Sequence, residues 1–296
     1  MTRTTPPSPV DMGTWFPEVL PYAKTATRLH PRPAAVGVRD SSVGGPVLWP
    51  TDEPWPYCAE EHLFMDEPPA GPVPLIPVLQ IFASDVPTLP HPAECDVFQL
   101  LWCPLVHGPH YTTQPRLYWR SSGAICEARS EFPRPEEGLD FIREHTPVPC
   151  AIDPEPVVEY PSWDLPPDVA AAILPARERL TAETEWVYDH HLSVAPGIKL
   201  GGYPLWTQEP DWPDCRHCEQ RMDHLVTIAS GEYDGATGDR WLPLEEQHVT
   251  LPSASAEERH RVWAGAGLTL GDRGGVYVFV CGGCPGLPYR HRFDCS

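Results

Sequence analysis

Residues 199–230 read KLGGYPLWTQEPDWPDCRHCEQRMDHLVTIAS: a Gly-Gly turn, two tryptophans, a Cys-x-x-Cys pair, then an apolar run that reads as a strand. Half of that order already stands at residues 43–58, VGGPVLWPTDEPWPYC. A shift of 157 positions aligns the two without a gap. Gly44, Gly45, Leu48, Trp49, Trp55, Pro56 and Cys58 then fall on Gly201, Gly202, Leu205, Trp206, Trp212, Pro213 and Cys215, 7 identities in 16 positions. Proline bias could supply some matches, but not this order of rare residues. The pattern reads as an internal duplication. It predicts an α+β fold, mostly β, built as two related lobes with short strands, few helices and a zinc-pinned pair of hairpins.

The composition agrees. The chain of 296 residues is long enough for one large domain or two lobes of about 150 residues each. Hydrophobic residues make up 41% and charged residues 21%, so a packed core is expected rather than disorder. The 40 prolines each fix φ and remove a donor, which disfavours long helices and long central strands. The expected organisation is a Pro-rich segment over 1–33, a first repeat lobe over 34–150, a Pro-rich crossing with a helix over 151–198, and a second lobe over 199–296.

Within these limits Ala34–Val38, Leu75–Ala83, Asp96–Cys103, Val157–Tyr160, Met222–Ala229 and Val276–Cys281 read as strands. Pro115–Trp119 and Gly123–Glu127 read as a hairpin. Glu136–His145 reads as a short helix, and Asp168–Leu192 as a longer one interrupted at Pro175. Ser255 with Glu258 forms a capping-box pattern opening a helix to about Trp263. Pro285–Ser296 reads as irregular.

The chemistry lies in the cysteines. Cys215-x-x-Cys218 and Cys281-x-x-Cys284 are two knuckles that can converge on one ion and close a tetrahedron. Four buried thiols without metal is the competing reading, though packing alone does not select paired knuckles. A redox motif at Cys281–Cys284 would need a following helix, which Pro285 and Pro288 deny. In the first half Cys58 and Cys103 are each followed by a histidine, giving Cys58, His62, Cys103 and His107 as a mirror site of two cysteines and two histidines for a second zinc. The competing reading there is a decayed repeat whose cysteines merely pack. His110 and Cys95 are spare ligands. Asp189-His190-His191 has no matching Asp/His cluster and reads as a solvated helix end. Gly265-Ala266-Gly267 does not sit in a βαβ unit, and no nucleophile elbow or phosphate loop is present.

The net charge is −20, which excludes a nucleic-acid or anionic-membrane surface as the main partner and leaves either simple solubility or a basic protein partner. The acidic insert Glu60, Glu61, Asp66 and Glu67 interrupts only the first repeat. The first residues, MTRTTPPSPVDMG, hold no apolar signal core, and no run of some 18 apolar residues occurs, so a cytoplasmic protein with reduced thiols is expected. Only Lys24 and Lys199 are lysines, which reads as codon bias.

At Leu200-Gly201-Gly202, Pro204, Trp206, the four knuckle cysteines and the strand before Cys281, the sequence resembles the bacterial YwqG-like family of unknown function. More distantly it is similar to eukaryotic programmed cell death protein 2 and its relatives. The resemblance covers about 199–284, and more weakly 43–104. It implies a duplicated β-rich fold without established catalysis and, through the eukaryotic relatives, a chaperone-like role toward a basic ribosomal protein. Glu219 departs from the pattern, standing where a glycine often follows the knuckle, as do the first-half histidines. Two other function classes are compatible with these residues: a metal-dependent hydrolase working at the first-half site, and an immunity-type protein that neutralises a toxin.

Overall fold

The computed structural model describes residues 2–65, 68–109, 111–136 and 138–295. Among them the strands form two six-stranded sheets and a two-stranded ribbon, all paired antiparallel. The first sheet runs, edge to edge, Arg32–Pro33, Cys150–Ala151, Ser42–Val43, Ile76–Phe82, Val97–His107, Thr112–Arg120. The second runs Glu155–Glu159, Lys24–Arg28, Lys199–Gly201, Asp223–Ala229, Gly275–Val280, Tyr289–Asp294. The fold is thus α+β and mostly β; most strands are short, but Val97–His107 runs for 11 residues through Pro104 and Thr112–Arg120 for 9 through Pro115.

Strand periodicity builds the layers. Val276, Val278 and Val280 point into a core that also contains Phe98, Leu100 and Trp102 of the first sheet, so the two sheets share one apolar interior. The alternate residues Tyr277, Phe279 and Cys281 face the other way, into a second cluster with Trp206, Cys215 and Met222. The first sheet repeats this division. Leu101, Cys103 and Leu105 turn outward to meet Trp49, Trp55 and Cys58. In both sheets the outer face is covered by the tryptophans and cysteine of the Gly-Gly-Trp segment. Each sheet also carries a register break at the same place, between Pro77 and Leu79 in one and His224 and Val226 in the other. A helical layer completes the molecule: Pro167–Glu183 packs Val169, Ile173 and Leu180 against Phe16 and Val19 of the N-terminal turns.

Several local expectations need correction. Ala34–Val38 is not a strand; the chain turns at Gly37–Asp40, where the Asp40 carboxylate accepts from the Gly37 N–H. Pro115–Trp119 belongs to the longer edge strand Thr112–Arg120, which pairs with Val97–His107, so the hairpin partner is upstream and not Gly123–Glu127. Proline is tolerated there because the strand is an edge. Glu136–His145 is no helix over its described residues: Gly138 at φ 88° and Phe141 at φ 64° take left-handed backbone that a right-handed helix excludes. The helix Pro167–Glu183 continues through Pro175 instead of stopping, held by its packed apolar face. Tyr289–Asp294 is not irregular but the edge strand beside Gly275–Val280; its arginines and histidine hide it, as charges on an edge strand do. The capping box at Ser255 and Glu258 is formed, opening the helix Ala256–Ala264. No helix among the described residues is long and apolar enough to cross a membrane.

Lys24–Arg28, from the 1–33 segment, is a central strand of the second sheet, paired with both Glu155–Glu159 and Lys199–Gly201. The two lysines also have definite places. Lys199 is fully buried and bonded to Glu159, whose oxygens accept from the Ala195 and Tyr203 N–H groups as well. Lys24 lies 4.4 Å from the Tyr203 ring centroid and 5.7 Å from that of Trp212. Glu159 fixes the Gly201-Gly202 turn. Gly202 has φ 68°, and a Cβ there would stand 2.2 Å from Glu159 Oε2.

Candidate metal centres

Two groups of four side chains could each hold a metal ion: Cys215, Cys218, Cys281 and Cys284, and Cys58, His62, Cys103 and His107. In each group the ligand atoms all lie within 4.8 Å of one another. These are the two sets that the sequence selected.

The second-half centre is made by two turns. The Cys215 N–H donates to Gln220 O, and the Glu219 N–H donates to Cys215 O, folding Cys215 and Cys218 onto one side. Glu219 pays for this with a left-handed φ of 59°, where glycine would sit at lower cost. The opposing turn follows the rigid strand Gly275–Val280, and the Cys281 N–H is anchored on Pro288 O. Gly282 and Gly283 do not use left-handed backbone; in this turn Gly286 and Leu287 do. Sγ of Cys215 is 3.9 Å from that of Cys284, and Sγ of Cys218 is 3.5 Å from that of Cys281. A tetrahedral ion with thiolates at ~2.3 Å sets sulfurs about 3.8 Å apart, so both distances fit. They are too long for disulfides, which need ~2.05 Å.

The first-half centre draws its ligands from a ribbon and a strand. Cys58 ends the ribbon strand Tyr57–Cys58, against Val73–Pro74. Cys103 and His107 come from Val97–His107, and the break in register between them brings both side chains to one point. His62 is carried by a loop tied down where the Leu63 N–H donates to Val106 O. Cys58 Sγ is 3.9 Å from His107 Nε2, and Cys103 Sγ is 3.5 Å from His62 Nε2. A mixed Zn–S and Zn–N tetrahedron puts these atoms about 3.6 Å apart. The two imidazoles therefore converge through Nε2. His107 Nδ1 is buried without a hydrogen-bond partner among the described residues, where a metal-bound histidine usually donates to an acceptor.

The electrostatics of both groups are those of thiols sharing protons. Cys58 is pushed down to about 3, first by a hydrogen bond from the Cys103 thiol and then by His107. Cys103 is pushed up by holding that proton and by burial. Cys215 falls to about 6 because the His217 and Cys218 N–H groups point at its sulfur. Cys284 is raised to about 12 by its thiol neighbours Cys218 and Cys281, and Cys281 is raised first by burial. A divalent cation would replace these shared protons.

Other candidates stand apart. Cys95 is half-buried and belongs to neither group. His110 and the acidic Asp66 and Glu67 lie outside the described residues. The Asp189-His190-His191 triplet is used structurally: Asp189 pairs with Arg177 and accepts from Ser162, and His191 Nε2 bonds to Ala236 O. It forms a π-turn, Tyr188–Ser193, not a helix end. The buried Glu159–Lys199 pair was missed by sequence reasoning; the rarity of lysine was its one visible signal.

The chain matches no protein-family model and no curated protein.

Proposed function

We propose that this protein is a zinc-stabilised binding module, an adaptor or chaperone-like scaffold for a basic protein partner, working in a reducing cytoplasmic setting. One observation carries the reading. Each candidate centre already offers four protein ligands, enough to fill a tetrahedron, and each ties a loop or ribbon to the outer face of its sheet. Structural zinc sites are closed in this way, whereas catalytic zinc keeps a position for water. The metal of this proposal is Zn2+, one ion held by Cys215, Cys218, Cys281 and Cys284 and a second by Cys58, His62, Cys103 and His107.

The corresponding strand orders, register breaks and tryptophan-covered cysteines support reading the two sheets as copies of one ancestral unit. Membership of the YwqG-like family belongs to the same proposal. The net charge of −20 would attract a basic surface and speed encounter, with an on-rate that falls as salt rises. The test is a native pull-down at low and high salt, read by mass spectrometry. Recovery of one basic protein, lost at high salt, supports the scaffold reading. A toxin as that protein would favour the immunity role. Acidic partners only, or none, would contradict it. Turnover of an ester, phosphodiester or peptide, abolished by His62→Ala, would instead make the first-half centre a hydrolase site.

A further inference from the structure

Acidic residues outnumber basic ones by 41 to 21 in this chain, yet one cleft reverses the balance. It has a volume of about 410 Å³ and is lined by Arg216, His217, Arg290, His291 and Arg292, with Glu60 as the one acidic lining residue among those described. The volume falls in the range of small-molecule sites, ~300–1,000 Å³.

Both candidate metal centres shape this cleft. Arg216 and His217 sit between the ligands Cys215 and Cys218, on the knuckle itself. Across from them, Glu60 lies between Cys58 and His62, and Gly108 follows His107. The third side is the edge strand Tyr289–Asp294, whose Tyr289 hydroxyl donates to Pro115 O on the edge strand of the other sheet. The cleft therefore lies on the seam between the sheets.

The cations differ in what they already do. Arg292 is bonded to Asp211, and Glu60 is 3.8 Å from Arg116. Arg216 and Arg290 pair with no carboxylate among the described residues. Two guanidinium groups without a carboxylate partner among the described residues thus border one concave surface, with a histidine beside each. A guanidinium fork matches a phosphate or carboxylate group through paired N–H donors. Simple charge balance is the competing account, because four thiolates around a divalent ion leave two negative charges beside Arg216.

We propose that this cleft is a binding site for a small oxyanion-bearing molecule, held through its phosphate or carboxylate group by Arg216 and Arg290. The metal-loaded full-length protein is titrated calorimetrically at low salt with pyrophosphate in one arm and citrate in the other. The arms separate a phosphate ligand from a carboxylate one. Binding in either arm is expected, weakened about tenfold or more in the Arg216→Ala/Arg290→Ala variant, the loss expected for a charge-assisted hydrogen bond. Arg134→Ala, an exposed arginine elsewhere, should leave affinity unchanged. Metal content is measured on every sample. Absence of binding in both arms, or equal binding by the double variant, would overturn the proposal. A double variant that loses metal, with no anion binding by the wild type, would assign these arginines to charge balance of the thiolate cluster.

Discussion

Replacing Cys281 with serine tests what the second-half centre does for the fold. Cys281 is buried and contributes both to the thiol cluster and to the apolar group around Trp206 and Phe279. Its Sγ faces Cys218 across the two turns. Without that thiolate the ion loses a quarter of its ligand set, and the Cys215–Cys218 knuckle loses its tie to the strand Gly275–Val280. Metal bound only by the native state, at a thousandfold excess over Kd, contributes ~4 kcal/mol. For a chain of 296 residues each kcal/mol moves Tm by ~1.6 °C, so the expected fall is about 6 °C. Calorimetric melting and elemental analysis on the same samples read both parts. Cys281→Ser should lose one zinc and melt about 6 °C lower, and chelator-stripped wild type should melt at least as low. Cys126→Ser, at an exposed cysteine in neither group, should be indistinguishable from wild type. Full metal content in Cys281→Ser, or an unmoved Tm in the stripped wild type, would refute a stabilising role for this centre.

Other outcomes follow from the interior. Lys199→Met leaves the Glu159 carboxylate buried without its cation and should cost about 3–5 kcal/mol in denaturant unfolding; a change under about 1 kcal/mol would contradict a strongly coupled pair. Gly202→Ala places a Cβ 2.2 Å from Glu159 Oε2 at φ 68°, whereas Gly286→Ala at φ 77° meets nothing. Both incur a backbone penalty of ~1–2 kcal/mol, so the larger loss at 202 isolates the clash, and equal losses would refute it. His224 is buried, Nδ1 donating to Gly201 O and Nε2 accepting from Thr227, and burial pushes its pKa from 6.5 down to about 3. Below pH 6.5 the unfolded chain takes up a proton that the folded chain refuses. This contribution is therefore intact above that pH and is lost toward pH 3, at roughly 1.4 kcal/mol per pH unit. His224→Gln should flatten the acid limb of stability, and an unchanged limb would show that His224 does not set it.

The candidate centres were legible because cysteine spacing is a local signal and the tryptophan order repeats. Both ligand sets could be listed from sequence, although the first needs a ribbon, a loop and a broken strand to assemble. The central strands were legible from apolar runs such as Val276–Val280. The edge strand Tyr289–Asp294 was not, since one face is solvated and arginines interrupt the pattern. Lys24–Arg28 was missed for a different reason: its partners lie far along the chain, at Glu155–Glu159 and Lys199–Gly201, and nothing local announces such pairing. The reading of Glu136–His145 as a helix failed because propensity is silent about Phe141 adopting left-handed backbone. The rare lysines look like codon bias in the sequence, yet burial and pairing depend on where the fold places them.

Zinc K-edge absorption spectroscopy on the native protein, with elemental analysis of the same sample, tests the two closed centres together. Two zinc ions per chain are expected. Averaged over one site of four cysteines and one of two cysteines and two histidines, each ion should see three sulfurs at ~2.3 Å and one nitrogen at ~2.0–2.1 Å, with no water oxygen. A single zinc surrounded by four sulfurs would leave the first-half group as packing alone. An oxygen in the first coordination shell, or no zinc, would contradict the closed structural sites on which this account rests.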